Sequence, residues 1–317
     1  MGKTARVGIS TAILVLFGLA LLLACGCDRK EDTKQIDLKK REKVSYEKAA
    51  TGEKPLRIAV GSMITPKAGF AYYRKLLDYI GEKLGRPVLF VDRENYAEVN
   101  ELLRTGKLDV AFVCSGPYVE GHEKFGMELL VAPQTYGRTA YYSYIIVPRD
   151  SPVRRFGELR GKTFAFADPD SNSGTIAPSY LLAKMHETPG SFFKHYGFTY
   201  AHDKSIRAVA DKLVDGAAVD SLVWNYLAKT DPELTGKTRV ILKSGPFGVP
   251  PVVVRPGLDG QTKKRLREIF LDLDRDAQGA RILKGMMIDK FVVVSDADYD
   301  SVRTMKLFFA GRKEEEK

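Results

Sequence analysis

Cysteine is scarce in this sequence, with three residues among 317. Cys25 and Cys27 lie close together near the N-terminus, and Cys114 lies inside the apolar run 110–114. This number and spacing exclude the disulfide framework of a small secreted domain. A free cysteine in an apolar run is expected to act as a small buried hydrophobic residue, so we assign no catalytic role to Cys114.

Several signatures of function are also missing from the sequence. The chain contains no Walker A motif, no G-x-S-x-G elbow and no internal repeat of fixed period. Its 28 glycines and 15 prolines exclude a collagen-like chain, and 44% hydrophobic residues exclude a wholly disordered one. The formal net charge of +10 is compatible with nucleic acid, an anionic membrane or small anions as partners, and does not choose among them.

The first 24 residues have the pattern of an export signal. Lys3 and Arg6 precede the apolar stretch 7–24, which ends directly before Cys25. The four residues up to Cys25, Leu-Leu-Ala-Cys, resemble the lipobox of bacterial lipoproteins, which implies cleavage before this cysteine and its lipidation. The alternative is an uncleaved membrane anchor, because the apolar stretch is close to the shortest that spans a bilayer.

The segment 25–54 is rich in alternating acids and bases and has few large apolar residues. Such a segment cannot bury enough surface to offset chain entropy. We therefore predict a signal peptide at 1–24, a lipidated charged tether at 25–54, a folded unit over about 55–310 and a polar tail at 311–317.

Within the folded unit, β-rich runs alternate with helical spacing of apolar residues, which favours an α/β fold. The pattern predicts two lobes, each a mainly parallel sheet flanked by helices and hinged by two crossing strands. Predicted strands include 56–60, 88–91, 110–114, 163–167, 198–201 and 217–219, and predicted helices include 70–84, 96–104, 175–185 and 206–214. Lobe 1 is assigned to 55–146 plus 250–310, and lobe 2 to 147–249.

The most distinctive local feature is the polar loop 168–174, Asp-Pro-Asp-Ser-Asn-Ser-Gly, between a predicted strand and a predicted helix. Serine, asparagine and aspartate are favoured helix N-caps, so the loop is explained by capping alone. The same groups, beside free backbone N–H groups at the positive end of a helix dipole, also form an anion site. The motif by itself leaves both interpretations open.

The sequence around this loop resembles the substrate-binding proteins of phosphonate, phosphite and phosphate ABC transporters, a branch of the type II periplasmic-binding fold. The resemblance covers roughly 55–305. It is carried by Tyr-Tyr-Ser-Tyr-Ile-Ile-Val at 141–147, Asp-Ser-Pro at 150–152, Leu-Arg-Gly-Lys-Thr-Phe-Ala-Phe at 159–166, the polar loop, His-Asp at 202–203 and Ala-Ala-Val-Asp-Ser at 217–221.

The resemblance implies that Ser171, Asn172 and Ser173, with Gly174, hold an oxyanion in the polar loop. It also implies that His202 donates a hydrogen bond from the same lobe. Tyr96 and Tyr141 are expected to approach from the other lobe and its crossing strand. The family often has threonine where this sequence has Asn172.

Three further candidates follow predicted strands. Thr65 follows the first strand, and Ser115 and Tyr118 follow the third. Ligands of open α/β sheets bind at the carboxyl ends of strands, so these side chains are weaker candidates for the same site.

Asp220 has two possible roles. It can cap the helix that begins at Ser221, or its carboxylate can accept a hydrogen bond from the P–OH group of a protonated phosphate or phosphite. The second role would select against sulfate, which has no such proton near neutral pH. In the family that this sequence resembles, aminophosphonate binders are expected to carry further acidic residues for the amine of the ligand. The corresponding positions, near Leu222 and 249–251, offer no second carboxylate, so the resemblance favours a small inorganic oxyanion over an aminoalkylphosphonate.

The sequence therefore predicts an exported, lipid-anchored solute-binding protein that faces the periplasm or the cell exterior. Its expected ligand is phosphate, phosphite or a small phosphonate, and its expected partner is an ABC permease. We expect a monomer that uses no metal or other cofactor, binds no nucleic acid and is not an enzyme. Two alternatives remain, namely a sensor for a membrane receptor, and an exported esterase or phosphatase with Ser173, His202 and Asp220 as a triad.

Overall fold

The computed structural model describes residues 54–61 and 66–315. The predicted signal, the tether with its lipidation site Cys25, and Thr65 lie outside the described residues. The described residues belong to one compact unit, which contains both lobes. No helix among them is both long enough and apolar enough to span a membrane.

The described residues form two sheets. The strands in chain order are β1 (Leu56–Val60), β2 (Val88–Val91), β3 (Val110–Phe112), β4 (Glu128–Gln134), β5 (Ala140–Pro148), β6 (Thr163–Phe166), β7 (His195–Phe198), β8 (Gly216–Asp220), β9 (Thr238–Gly248), β10 (Val252–Val254) and β11 (Lys290–Val292). The first sheet has the order β11-β4-β10-β3-β1-β2, and the second has the order β7-β6-β8-β5-β9. The predicted two-lobed α/β fold is confirmed.

Helices cover these sheets. In chain order they are α1 (Pro66–Leu84), α2 (Tyr96–Arg104), α3 (Ser115–Phe125), α4 (Ala177–Lys184), α5 (Pro189–Phe192), α6 (His202–Ala210), α7 (Ser221–Thr230), α8 (Pro232–Gly236), α9 (Gly260–Leu271), α10 (Ala277–Met286) and α11 (Asp300–Glu315). Helix α11 continues to Glu315, so most of the predicted polar tail is helical.

Each sheet is mixed and contains one set of three parallel strands. In the first sheet β1 pairs in parallel with β2 and β3, and β10, β4 and β11 pair antiparallel. In the second sheet β6 pairs in parallel with β7 and β8, and β5 pairs antiparallel with β8 and β9. The carboxyl ends of parallel strands meet at one edge, so each lobe has one edge where a binding site can form.

The first crossing between the lobes lies earlier than the sequence indicates. The sequence pattern places 140–146 in lobe 1, but strand β5 pairs with β9 from Ala140, opposite Gly248, to Pro148, opposite Thr238. Hydrogen bonds along this whole ladder hold β5 in the second sheet. The chain therefore changes lobes before Ala140 and returns after Gly248.

Each lobe has its own apolar core. In the first lobe, Ile58, Leu76 and Phe112 pack together with the helices that cover the sheet. In the second lobe, the Phe164 and Phe193 rings stack with centroids 4.3 Å apart. A further cluster of buried apolar residues joins the lobes, because Ala59 and Val99 of the first lobe belong to it together with Ile176 and Phe247 of the second.

Candidate functional site

Three parallel strands of the second lobe lead into polar residues at the same edge. Strand β6 is followed by the polar loop, β7 is followed by His202 at the start of α6, and β8 ends at Asp220 before α7. The first lobe does the same, because β2 leads to Tyr96 at the start of α2 and β3 leads to Ser115 at the start of α3. The topology therefore places five of the predicted site residues or segments at strand ends.

The polar loop closes into a single wide helical turn, Asn172–Ile176, directly before α4. The Ser171 side chain caps this turn by accepting a hydrogen bond from the Gly174 backbone N–H at 3.1 Å. The Ser171 carbonyl then accepts from the Ile176 N–H at 2.9 Å, five residues along. The capping interpretation of the loop is thus correct for Ser171, and the side chains of Asn172 and Ser173 remain to be explained.

Gly174 is required by the packing of this turn. A Cβ atom at this position would lie 2.5 Å from the Ala167 Cβ and 3.0 Å from both the His202 Cε1 and the Ser171 Oγ. Contacts of 2.5 Å are not tolerated without a shift of backbone or neighbours. Glycine therefore allows the turn to lie directly against the imidazole ring.

His202 is fully buried and neutral. The Asp220 backbone N–H donates to its Nδ1 atom at 3.1 Å, so Nδ1 carries no proton. Burial lowers the pKa of His202 from 6.5 to about 3, which keeps the ring uncharged at neutral pH. The proton is therefore on Nε2, which lies 3.4 Å from the Ser171 Oγ and is a fixed hydrogen-bond donor toward the polar loop.

Asp220 caps helix α7, because its Oδ1 accepts a hydrogen bond from the Leu222 backbone N–H at 2.6 Å. The residue is 1% exposed, and burial raises the pKa of its carboxyl group from 3.8 to about 7. Near neutral pH this group can carry a proton or accept one in a hydrogen bond. The capping role is therefore established by geometry, and the raised pKa is compatible with a second role.

Tyr141 connects the polar loop to the first lobe. Its hydroxyl lies 2.7 Å from the Ser115 Oγ at the start of α3, and it accepts a hydrogen bond from the Asn172 Nδ2 at 3.0 Å. All three side chains are fully buried. Residues from both lobes are thus joined in one hydrogen-bonded group.

Tyr96 provides a second connection between the lobes. Its backbone N–H, at the start of α2, donates to the Asp168 Oδ2 of the second lobe at 3.1 Å. Burial raises the pKa of the Tyr96 phenol well above 10, and the nearby Cys114, Asp168 and Asp220 add to this effect. The phenol is therefore a neutral hydrogen-bond donor among the buried polar groups.

The lobes meet closely at Gly116, in the first turn of α3. A Cβ atom there would lie 2.3 Å from the Asp170 carbonyl oxygen and 3.3 Å from the Asn172 backbone nitrogen. The site residues Ser171, Asn172, Ser173 and His202 are 0% exposed. The described arrangement of the lobes is therefore closed over the polar loop.

Three buried polar atoms of this region have no hydrogen-bond partner within the described part of the chain, namely the Ser173 Oγ, the Asn172 Oδ1 and the Tyr96 hydroxyl oxygen. A buried polar group without a partner costs about 1–3 kcal/mol. The Asn172 amide can also rotate, so that Oδ1 accepts from Tyr141 and Nδ2 points to the unpartnered side. The arrangement then offers hydroxyl, amide and imidazole donors to an acceptor-rich ligand.

Tyr118 is not among the residues brought together. The Tyr118 hydroxyl donates to the Asp296 Oδ1 at 2.7 Å, and its ring packs on Tyr299 with centroids 4.6 Å apart. Tyr118 therefore joins α3 to the C-terminal part of the chain, because it lies one helical turn after Ser115 and its hydroxyl is held by Asp296. Thr65 lies outside the described residues.

The structure adds two residues that the sequence analysis did not single out. Asp168 accepts from the backbone N–H groups of Tyr96 and Asp170, and the Ser143 Oγ donates to the Ser173 carbonyl at 2.6 Å. Ser143 alternates with large apolar residues in β5, which is a weak signal that a strand carries one polar group inward. Nothing in the sequence indicates the partner of Asp168.

The residues of the hydrolase alternative do not form a triad. In a Ser-His-Asp triad the carboxylate accepts from Nδ1–H, but here His202 Nδ1 accepts from the Asp220 backbone N–H. The serine oxygen that is hydrogen-bonded to His202 Nε2 belongs to Ser171. The Ser173 Oγ has no hydrogen-bond partner among the described residues. Within 54–61 and 66–315, no group of three His, Cys, Asp or Glu side chains could hold a metal ion.

The comparisons with known proteins agree with this architecture. Residues 58–299 match the family described as the periplasmic substrate-binding protein of phosphonate ABC transporters. The phosphonates-binding periplasmic protein of Escherichia coli K12 is 26% identical over 261 residues, which cover 81% of this chain and 77% of that protein.

Solved structures show the same fold. The binding protein component of an ABC phosphonate transporter from Pseudomonas aeruginosa has a TM-score of 0.76 and 25% identity, over 81% of this chain and 87% of that chain. PhnD1 of Prochlorococcus marinus in complex with methylphosphonate has a TM-score of 0.74 and 18% identity, over 81% and 98%. The predicted resemblance is confirmed, and the chain belongs to the family of periplasmic substrate-binding proteins of phosphonate ABC transporters.

Proposed function

We propose that this protein binds a tetrahedral phosphorus oxyanion between its two lobes and delivers it to an ABC permease. The observation that carries this proposal is the set of three buried polar atoms without partners, on Ser173, Asn172 and Tyr96, beside the Nε2–H donor of His202. The oxygens of a phosphonate or phosphate would accept hydrogen bonds from the Ser173 and Tyr96 hydroxyls and from the His202 Nε2–H. They would also accept one from the Asn172 amide once it is rotated, because its oxygen is an acceptor and only Nδ2 can donate. A bound anion would thus offset the cost of burying them.

Closure of the lobes is the proposed mechanism. The polar loop and His202 belong to the second lobe, and Tyr96 and Ser115 belong to the first. A ligand that contacts both lobes stabilises the closed arrangement by contacts that an open arrangement lacks. Hydrogen bonds to a charged ligand contribute roughly 1.5–3 kcal/mol each, so several are sufficient for micromolar affinity.

Asp220 is proposed to distinguish phosphorus oxyanions from sulfate. With a pKa of about 7, its carboxyl group can share one proton with an oxyanion near neutral pH. A hydrogen phosphate, phosphite or phosphonate monoanion brings that proton as P–OH. Sulfate must take the proton from Asp220, so its binding should weaken as the pH rises above about 7.

The names of relatives support a phosphonate as one ligand. The E. coli relative is named a phosphonates-binding protein, a mycobacterial relative with 26% identity is named a phosphate-import protein, and the Prochlorococcus structure contains methylphosphonate. The phosphorus oxyanion, and not one particular compound, is the chemistry that these ligands share.

The proposal includes export and lipid anchoring. The N-terminal apolar stretch and the Leu-Leu-Ala-Cys sequence support processing before Cys25, and the charged segment 25–54 would then separate the binding unit from the membrane. Lipidated Cys25 would hold the protein at the membrane near its permease.

Calorimetric titration of the purified protein with phosphate, phosphite, methylphosphonate and sulfate tests the proposal. We expect binding of the phosphorus compounds and weaker binding of sulfate at pH 8. Ser173→Ala should weaken binding about 10- to 100-fold, the loss expected for one hydrogen bond to a charged group. Ser301→Ala, at an exposed position of α11, is the matched control. Equal affinities of the two variants would contradict the proposed site.

A further inference from the structure

A cavity of about 120 Å³ lies between the lobes at Asp220. Tyr72, Tyr73 and Phe112 of the first lobe form part of its wall, and Val223 and Tyr226 of helix α7 form part of the opposite wall. The remaining described lining residues are mostly aliphatic or aromatic as well. Residues from both lobes line this space, so its shape depends on how the lobes sit together.

Charge is almost absent from the cavity wall. Among the described residues that line it, Asp220 is the only carboxylate, and none carries an ammonium or guanidinium group. The Asp220 Oδ1 is already held by the Leu222 backbone N–H. In the proposed complex the Asp220 carboxyl group also shares a proton with the oxyanion, so a cationic group in the cavity would lose its hydration and meet no second carboxylate on the described wall.

Asp220 joins the cavity to the anion-binding residues. It lines the cavity, and its backbone N–H fixes His202. Its charge also reaches both regions. Burial, followed by the charges of Asp220 and Tyr226, raises the pKa of Tyr73 to about 12. Asp220 also raises the pKa of Tyr96, where its effect is smaller than those of burial, Cys114 and Asp168. The apolar space therefore begins where the proposed oxyanion site ends.

We propose that this cavity binds the organic substituent of the ligand, and that the physiological ligand is a phosphonate with an uncharged, apolar substituent of about three or more carbon atoms. This proposal rests on the proposed function of the anion site. It differs from the sequence-based preference for a small inorganic oxyanion, because the cavity between the lobes can be recognised only in three dimensions.

The size of the cavity sets the expected range of substituents. An engineered apolar cavity of about 150 Å³ in another protein binds benzene. A space of about 120 Å³ is therefore suited to a short alkyl chain, and a phenyl group is close to its upper limit. Each buried methylene contributes about 0.8 kcal/mol, which corresponds to about a fourfold gain in affinity.

A series of phosphonates tests the proposal on the purified protein by calorimetry. We expect the affinity to rise about fourfold per methylene from methyl- to ethyl- to propylphosphonate and to level off with longer chains. Propyl- and 2-aminoethylphosphonate form a matched pair, because the amine replaces a terminal methyl group of similar size. The propyl compound should bind more tightly.

Substitution of the cavity wall gives a second measurement. Val223→Phe would narrow the cavity and should reduce the ratio of propyl- to methylphosphonate affinity by about tenfold. Val293→Phe, at a side chain that is 62% exposed, should leave this ratio unchanged. If Val223→Phe does not fold, the ligand series on the unchanged protein still decides the question.

The outcomes separate the two proposals. Binding of methylphosphonate without any gain for ethyl- or propylphosphonate would overturn the apolar-substituent proposal and leave the anion site intact. Tighter binding of 2-aminoethylphosphonate, or of a phosphonate with a trimethylammonium group, would overturn it in favour of a cation bound by the aromatic wall. Failure of every phosphorus compound to bind would overturn the proposed function itself.

Discussion

The backbone N–H of Asp220 donates a hydrogen bond to the Nδ1 atom of His202 at 3.1 Å. This contact joins the end of β8 to the start of α6 and decides which ring nitrogen carries the proton. It makes His202 a neutral donor, although a histidine beside an anion site would otherwise be expected to act through positive charge. The first prediction follows from this geometry.

His202→Ala should weaken methylphosphonate binding about 10- to 100-fold, because one hydrogen bond to a charged ligand is lost. His202→Gln should recover part of the loss, since its amide N–H can lie near the position of Nε2. Because the pKa of His202 is about 3, its titration should not affect affinity between pH 5 and 8. Calorimetry over this range is the measurement, and a binding transition near pH 6.5 that disappears in His202→Gln would contradict the neutral donor.

Asp220 should make folding stability depend on pH. Its pKa is raised from 3.8 to about 7 in the folded protein, so its contribution is fully present below pH 3.8 and is lost as the pH rises toward 7. Three pKa units correspond to about 4 kcal/mol as an upper limit. The free energy of unfolding of the unchanged protein, minus that of Asp220→Asn, should therefore decrease between pH 4 and pH 7.

Urea denaturation of the ligand-free protein at several pH values measures this difference. Asparagine is also a good N-cap, so Asp220→Asn keeps the cap of α7. His202 has the opposite sign, because its lowered pKa removes stability as the pH falls from 6.5 toward 3, but it is present in both proteins and cancels. Asp211→Asn, at an exposed position, is the control. A difference that does not change with pH would contradict the raised pKa of Asp220.

Gly116→Ala should prevent full closure of the lobes without removing any ligand contact. The added Cβ would lie 2.3 Å from the Asp170 carbonyl oxygen in the closed arrangement. Overpacking of this kind costs roughly 1–3 kcal/mol, so affinity should fall by about tenfold or more. Alanine is favourable within a helix, so the midpoint of urea unfolding without ligand should be retained.

Small-angle X-ray scattering with and without methylphosphonate measures closure directly. The radius of gyration should decrease on binding in the unchanged protein and in Gly236→Ala, where the new Cβ meets nothing within 4 Å. The decrease should be smaller in Gly116→Ala. Normal affinity and normal compaction in Gly116→Ala would show that the lobes close in another geometry.

Cys25→Ala should abolish lipidation and release the protein from the membrane or leave its precursor uncleaved. Mass spectrometry of the membrane fraction is the measurement, with Cys27→Ala as the matched control two residues away. Cys27→Ala should keep a lipidated N-terminus. An unchanged mass and location for Cys25→Ala would favour the uncleaved anchor.

Much of the fold could be predicted from local patterns. The runs 56–60 and 88–91 are strands with these bounds, and the helical spacing at 96–104 is helix α2. Patterns of this kind depend on which face of an element is buried, so periodicity reports them directly. The predicted boundaries are less accurate where polar residues begin a helix, because α6 starts at His202 and not at 206. The neighbouring strand is also displaced, since β7 ends at Phe198, where the predicted strand 198–201 begins.

The candidate site was predictable only in part, because a local pattern shows which residues follow a strand but not which side chains they contact. The polar loop, His202 and Asp220 follow strands in the sequence, and parallel pairing then places strand ends at one edge. Ser115 and Tyr118 both lie after β3, but only Ser115 contacts Tyr141. The two positions lie one helical turn apart, and the packing of α3 against other elements decides which of them meets Tyr141 and which meets Asp296.

By itself, the sequence determined the α/β order, the apolar N-terminal stretch and the polar loop that begins a helix, since each depends on residues close together along the chain. Tertiary structure alone decided that Tyr96 donates to Asp168, that His202 is a neutral donor, and that an apolar cavity adjoins Asp220. These features join residues of separate strands and both lobes. Their distances are fixed by sheet pairing and lobe packing, which no local pattern contains.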